Sequence, residues 1–150
     1  YELCACLVGS EMCIRDRRYN GGHKELNILH ILTVILVALV AIEHIGIMGI
    51  ELLGSRAFLA KTFEIPLVEV QRPHLRTALA NQGLYNGFVA LALFLALFIP
   101  TGTIMKMMLI FFLASIFILA AYGALTVAKK ILLVQGLPAL ITLILVLFIF

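Results

Sequence analysis

The sequence predicts an all-α integral membrane protein, with four antiparallel transmembrane helices in a bundle and a short interfacial helix in the first connection. Hydrophobic residues make up 63% of the 150 residues and charged residues only 13%, against the roughly 45–50% apolar content of a soluble domain. The apolar residues fall into long runs, each near the ~20 residues needed to cross hydrocarbon. The charges fall mainly between those runs, at Arg56, Lys61, Arg72 and Lys129-Lys130, as in multi-span chains. No run alternates with period two, which excludes a transmembrane barrel. A net charge of +3, dispersed along the chain, gives no footprint for nucleic acid.

Residues 1–27 are set apart as a leader, expected to be non-native or disordered, ahead of a transmembrane domain over 28–150. Within the leader, the run from Cys4 to Arg17 resembles the conceptual translation of a sequencing adapter. A secretory signal is excluded, because the apolar run Leu3–Val8 is too short and its cations follow it. Cys4, Cys6 and Cys13 all lie in this leader, so they are not counted as disulfide partners or metal ligands.

The first span is Ile28–Ile50, closed by Glu51 and Gly54. Ser55 can cap a short helix that places Phe58, Leu59, Thr62 and Phe63 on one side, with Arg56 and Lys61 towards the other. Such a helix lies in the membrane interface. Pro66 ends it, and Pro73 suits the first turn of the second span, about 76–99. Pro100-Thr101-Gly102 makes a tight turn into the third span, about 104–128. Lys129-Lys130 leads into the fourth, about 131–150, where Gly136 and Pro138 fall in the first turns. Short connections make successive helices antiparallel neighbours.

The first and third connections carry Arg56, Lys61, Arg72, Arg76, Lys129 and Lys130, whereas the opposite side carries Lys24 and Lys106. With the leader set aside, this bias puts both termini outside the cytoplasm of a bacterial cytoplasmic membrane. Counting Arg15, Arg17 and Arg18 would nearly cancel it.

Antiparallel spans bring the polar residues to one depth. Glu43, His44 and Glu51 lie late in the first span; Asn81, Gln82, Tyr85 and Asn86 lie early in the second; Tyr122 and Thr126 lie late in the third; Gln135 opens the fourth. All belong to the basic half. Gln82 and Asn86, like Asn81 and Tyr85, are spaced i,i+4 and form two stripes. His44 and Glu51 share a face, while Glu43 points about 100° away from His44. Gly83 and Gly87 allow another backbone to come close, bringing the amides within reach of a partner helix.

Five blocks carry a resemblance: Ile42-Glu43-His44 with Glu51-Leu52, Ala80 through Phe88, Tyr122-Gly123-Ala124, Thr126-Val127, and Lys130 through Ala139. Together they resemble the bacterial membrane family known as domain of unknown function 1304, from Ile28 to the end and in the right order. The resemblance implies a small four-span protein of the cytoplasmic membrane and no established activity. One departure is that family members often continue with an aromatic-rich Glu-Met-Phe pattern where this chain has Glu51-Leu52-Leu53-Gly54.

Three functions are compatible with these residues. In the first, a polar pocket on the basic side binds or transports a small amphipathic ligand, with Glu43, His44, Glu51, Asn81, Gln82, Tyr85, Asn86, Tyr122, Thr126 and Gln135 as its lining. In the second, a membrane enzyme acts on a lipid-like substrate with Glu43 or His44 as acid/base. In the third, the amides join helices in a structural or accessory subunit, alone or as a homo-oligomer. The lipid bilayer is the partner in every case. No metal or cofactor is expected: His44 is the only histidine well inside a span, no phosphate or dinucleotide loop is present, and Met105, Met107 and Met108 read as apolar filler.

Overall fold

A computed structural model describes residues 28–100 and 102–150, together with the helical backbone of the first helix back to Glu2. The leader reading of residues 1–27, with its three cysteines, lies outside the fully described residues. Helix α1 is Glu2–Leu53, α2 Arg56–Phe63, α3 Leu67–Val70, α4 Pro73–Phe98 and α5 Thr103–Thr126. A π-helical turn, Leu132–Gly136, then leads into α6, Leu137–Ile149.

Among the described residues, four segments are long and apolar enough to cross a membrane: Ile28–Leu53, Pro73–Phe98, Thr103–Thr126 and Leu132–Ile149. The protein is an all-α membrane bundle. Helix α1 packs on α4 and α6, and α5 packs on the same two, which closes a ring of four. Neighbours run antiparallel. Arg76 at the start of α4 meets the end of α1, Lys106 at the start of α5 meets Leu147 at the end of α6, and His30 stacks on Phe150 at 4.2 Å.

The bundle core is built from small and branched side chains, among them Val37, Ala41, Ala90, Leu93, Leu113 and Ala139. Small residues matter more here than in water. Lipid tails are as apolar as leucine, so close van der Waals contact and not water exclusion holds spans together.

The connection after α1 holds the short helix its residues suggest, but that helix ends at Glu64 rather than Pro66, and Pro66 instead precedes a second helix, α3. Ser55 Oγ accepts from the Phe58 N–H at 3.3 Å and so caps α2. Leu59 and Val70 are fully buried and pack with Leu79 of α4 in a second small core, while Arg56 and Lys61 stay exposed. Glu64 ends α2 in the left-handed region at φ 58°, and its carboxylate meets Lys130 Nζ at 2.8 Å. That ion pair ties the first connection to the third and confirms that both lie at one end. Pro73 stands at the start of α4, where its missing N–H leaves no helical bond unmade. At the other end Gly102, at φ +155°, takes a backbone conformation that a side chain would strain and lets α5 begin.

The π-helical turn is a feature that the sequence did not announce. Pro138 has no N–H to return to Val134. The Leu137 N–H instead bonds Leu132 O, five residues back, which widens the turn. Gly136 sits against α5: a Cβ there would stand 3.3 Å from that of Ala120 and 2.7 Å from Leu132 Cδ1.

Candidate functional site

Glu51 of α1 and Asn86 of α4 meet at the basic end because glycines let those helices touch. A Cβ on Gly83 would stand 3.0 Å from Glu51 Cβ and 3.3 Å from both Leu52 Cγ and Met48 O. A Cβ on Gly87 would overlap Met48 Sδ. With no side chain at either position, α4 lies directly on the last turns of α1.

This contact places Glu51 in the seam with no solvent exposure. Its Oε2 accepts from Asn86 Nδ2 at 2.8 Å, and the same amide reaches Gln82 O at 3.3 Å. Its Oε1 is buried and has no hydrogen-bond partner among the described residues. Just above, the Arg76 guanidinium donates to Glu51 O and to Leu52 O, each at 2.7 Å. The last turn of a helix leaves carbonyls without helical donors. Here Gly54 N–H takes Ile50 O at 2.9 Å, and Arg76 takes the next two. A cation at a helix C-terminus also opposes the negative end of its dipole.

Replacing Arg76 with Ala should therefore lower stability by about 2 kcal/mol, the worth of hydrogen bonds from a charged donor. Lys at this position should recover only part of the loss, because an ammonium lacks the planar fork that spans two carbonyls. An unfolding titration in mild detergent measures both.

Deeper in α1, His44 is buried at 3% exposure and its Nδ1 lies 2.9 Å from Val40 O. A carbonyl can only accept, so this geometry sets the Nδ1–H tautomer and leaves Nε2 as an acceptor. Glu43 is half-buried, with Oε1 enclosed and unpartnered among the described residues. No hydrogen bond joins Glu43 to His44 among those residues, in keeping with the angle between successive helix positions.

The remaining polar residues are distributed differently. Asn81, Gln82 and Tyr85 are exposed on the outer face of α4, with Tyr85 at 73%. Tyr122 is exposed on α5, and so is Thr126, whose hydroxyl bonds Tyr122 O at 2.9 Å. Gln135 is half-buried within the π-helical turn. The structure thus joins Glu51 to Asn86 and sets Arg76 beside them, while Asn81, Gln82, Tyr85, Tyr122 and Thr126 are exposed and their side chains are not joined to them. In the sequence Arg76 reads only as a charge that bears on orientation. Its position i−10 from Asn86, one face along, was the available signal. Among the described residues no three His, Cys, Asp or Glu side chains gather as a metal site would require.

A family model described as a protein of unknown function, DUF1304, matches residues 38–147. The chain belongs to the DUF1304 family. An uncharacterized protein, YpaA, from Lactococcus lactis subsp. lactis (strain IL1403) is 38% identical over 117 residues, covering 76% of this chain and 95% of the relative. No solved structure matches. The DUF1304 match takes in Glu43, His44, Glu51, Arg76 and the Asn81–Asn86 stretch, so the α1–α4 seam belongs to the family region of the chain.

Proposed function

We propose that this DUF1304 protein binds a small amphipathic ligand at the basic end of the bundle, and that the Glu51 carboxyl receives its donor-bearing or cationic head. The reading is carried by Glu51 Oε1, a carboxylate oxygen with no exposure and no partner among the described residues. Buried polar atoms are nearly always paired, and an ionisable group within a span is a functional candidate by default. An N–H or O–H from a ligand head would complete the set that Asn86 begins. The ligand's apolar part would lie along Met48 and Leu52. Met48 is the flexible member of the seam, and its thioether can give way where backbone cannot.

The basic end is assigned to the cytoplasm of the bacterial cytoplasmic membrane, with both termini on the far side, on the strength of the Lys and Arg bias. The test of binding is thermal unfolding of the detergent-solubilised protein with a series of alkylamines and the matching alkanes. Wild type should gain stability with the amines, Glu64→Gln should behave like wild type, and Glu51→Gln should gain none. Gln retains an acceptor for Asn86, so loss of folding is not the expected reason. Equal stabilisation of wild type and Glu51→Gln, or none for wild type, overturns the reading.

A second reading is favoured by the exposed amides of α4. Asn81 and Gln82 carry donors and acceptors on a membrane-facing surface, where polar groups are costly unless met. A carboxamide complements its own kind, so a homo-oligomer that pairs these faces is the structural alternative. Light scattering of wild type against the Asn81→Leu, Gln82→Leu double variant distinguishes it: the oligomer should fall to monomer.

A further inference from the structure

A groove of about 360 Å³ lies between α5 and α6, away from the α1–α4 seam. Its walls are Phe117 and Ala121 of α5, and Leu132, Leu133, Leu137 and Leu140. Every lining side chain is hydrocarbon. Leu133 and Leu137 are 66% and 47% exposed, so the groove is open along the side that faces the bilayer. It follows from the backbone: Gly136 pulls the fourth span onto Ala120, and the π-helical turn beside that contact widens the spacing of the leucines.

The groove is a slot running along the helices. From Leu132 to Leu140 it extends for about 12 Å along the helix axis. Its first wall residue, Leu132, follows Lys129 by three residues and Lys130 by two. Lys130 is engaged with Glu64 at 2.8 Å. Lys129 is exposed and makes no ion pair among the described residues. An apolar slot thus begins just after a connection that carries an exposed cation.

We propose that this groove is a binding site for an anionic phospholipid of the surrounding bilayer, with an acyl chain between α5 and α6 and the phosphate at Lys129. The slot has no polar group to recognise anything but hydrocarbon, and it opens where acyl chains are the solvent. Basic residues at the end of such an inter-helix pocket select anionic headgroups. A lipid with a neutral or zwitterionic head fits the slot equally well but gains nothing at its mouth.

The test is native mass spectrometry of the full chain released from vesicles of phosphatidylglycerol and phosphatidylcholine in equal amounts. Wild type should retain phosphatidylglycerol in preference to phosphatidylcholine. Lys129→Gln should reduce that preference about fivefold, while Lys61→Gln, an exposed lysine at the same end, should leave it unchanged. Ala121→Phe should fill the slot and remove retention of both lipids. Should that variant fail to fold, Leu133→Asn, at an exposed wall position, should weaken retention of both. Equal retention of the two lipids by wild type overturns the proposal. So do equal effects of Lys129→Gln and Lys61→Gln, or full retention in both groove variants.

Discussion

Gly83→Val is expected to separate α1 from α4 and to lose about 3 kcal/mol of stability, the upper part of the usual range for overpacking. The Cβ alone would stand 3.0 Å from Glu51 Cβ and 3.3 Å from Met48 O. One is the root of a side chain held in the seam, and the other is backbone. Neither can swing aside, so the helices must move apart. The two methyls of valine add to the displacement. Separation also pulls Asn86 from Glu51, which compounds the loss. Gly87→Ala is the internal control. Its new methyl meets Met48 Sδ, the far end of a flexible side chain. The gain of up to about 1 kcal/mol in helix propensity offsets what Met48 loses by moving. The control should stay within about 0.5 kcal/mol of wild type in the same detergent unfolding titration. If Gly83→Val matches Gly87→Ala, the close contact at Gly83 does not hold the seam.

Asn86→Leu should cost about 1–3 kcal/mol, because it leaves both oxygens of a fully buried carboxyl without a protein partner. The diagnostic variant is the double, Glu51→Met with Asn86→Leu. Replacing both partners with apolar groups of similar shape removes the unmet acceptor, so the pair should recover to near wild-type stability. A double-mutant cycle then reads a coupling much larger than the ~0.6 kcal/mol average of interhelical hydrogen bonds in membranes. Purely additive losses would mean that Asn86 and Glu51 contribute separately, through packing. The double variant would also lack the acceptor proposed for a ligand head, so it separates stability from binding. It should fold well and show no amine-dependent stabilisation.

Parts of the seam are legible in the sequence. The spacing i,i+4 of Gly83 and Gly87 marks a close helix approach whatever the partner is, because no side chain intervenes. The seven-residue spacing of His44 and Glu51 places both on one face, and both are buried. The cap at Ser55 follows from local chemistry alone, since the hydroxyl and the N–H it serves are three residues apart. Other polar positions were not legible in this way. Asn81, Gln82 and Tyr85 sit within five residues of Asn86, yet they face outward. Their fate depends on how α4 is rotated against α1, and that rotation is set by which residues come closest. Gly83 and Gly87 win the contact, Asn86 falls at its margin, and the others turn away.

Composition and the placement of charge therefore determined the class of the protein, its four spans and the end at which its polar groups gather, because crossing ~30 Å of hydrocarbon leaves few options for length or content. Only the tertiary structure decided that Glu51 and Asn86 are partners, that Arg76 closes the end of α1, and that a π-helical turn opens a groove against α5. Each of these depends on the rotation and separation of helices distant in sequence. A local pattern can fix which face of a helix is polar. It cannot fix which neighbour that face will meet.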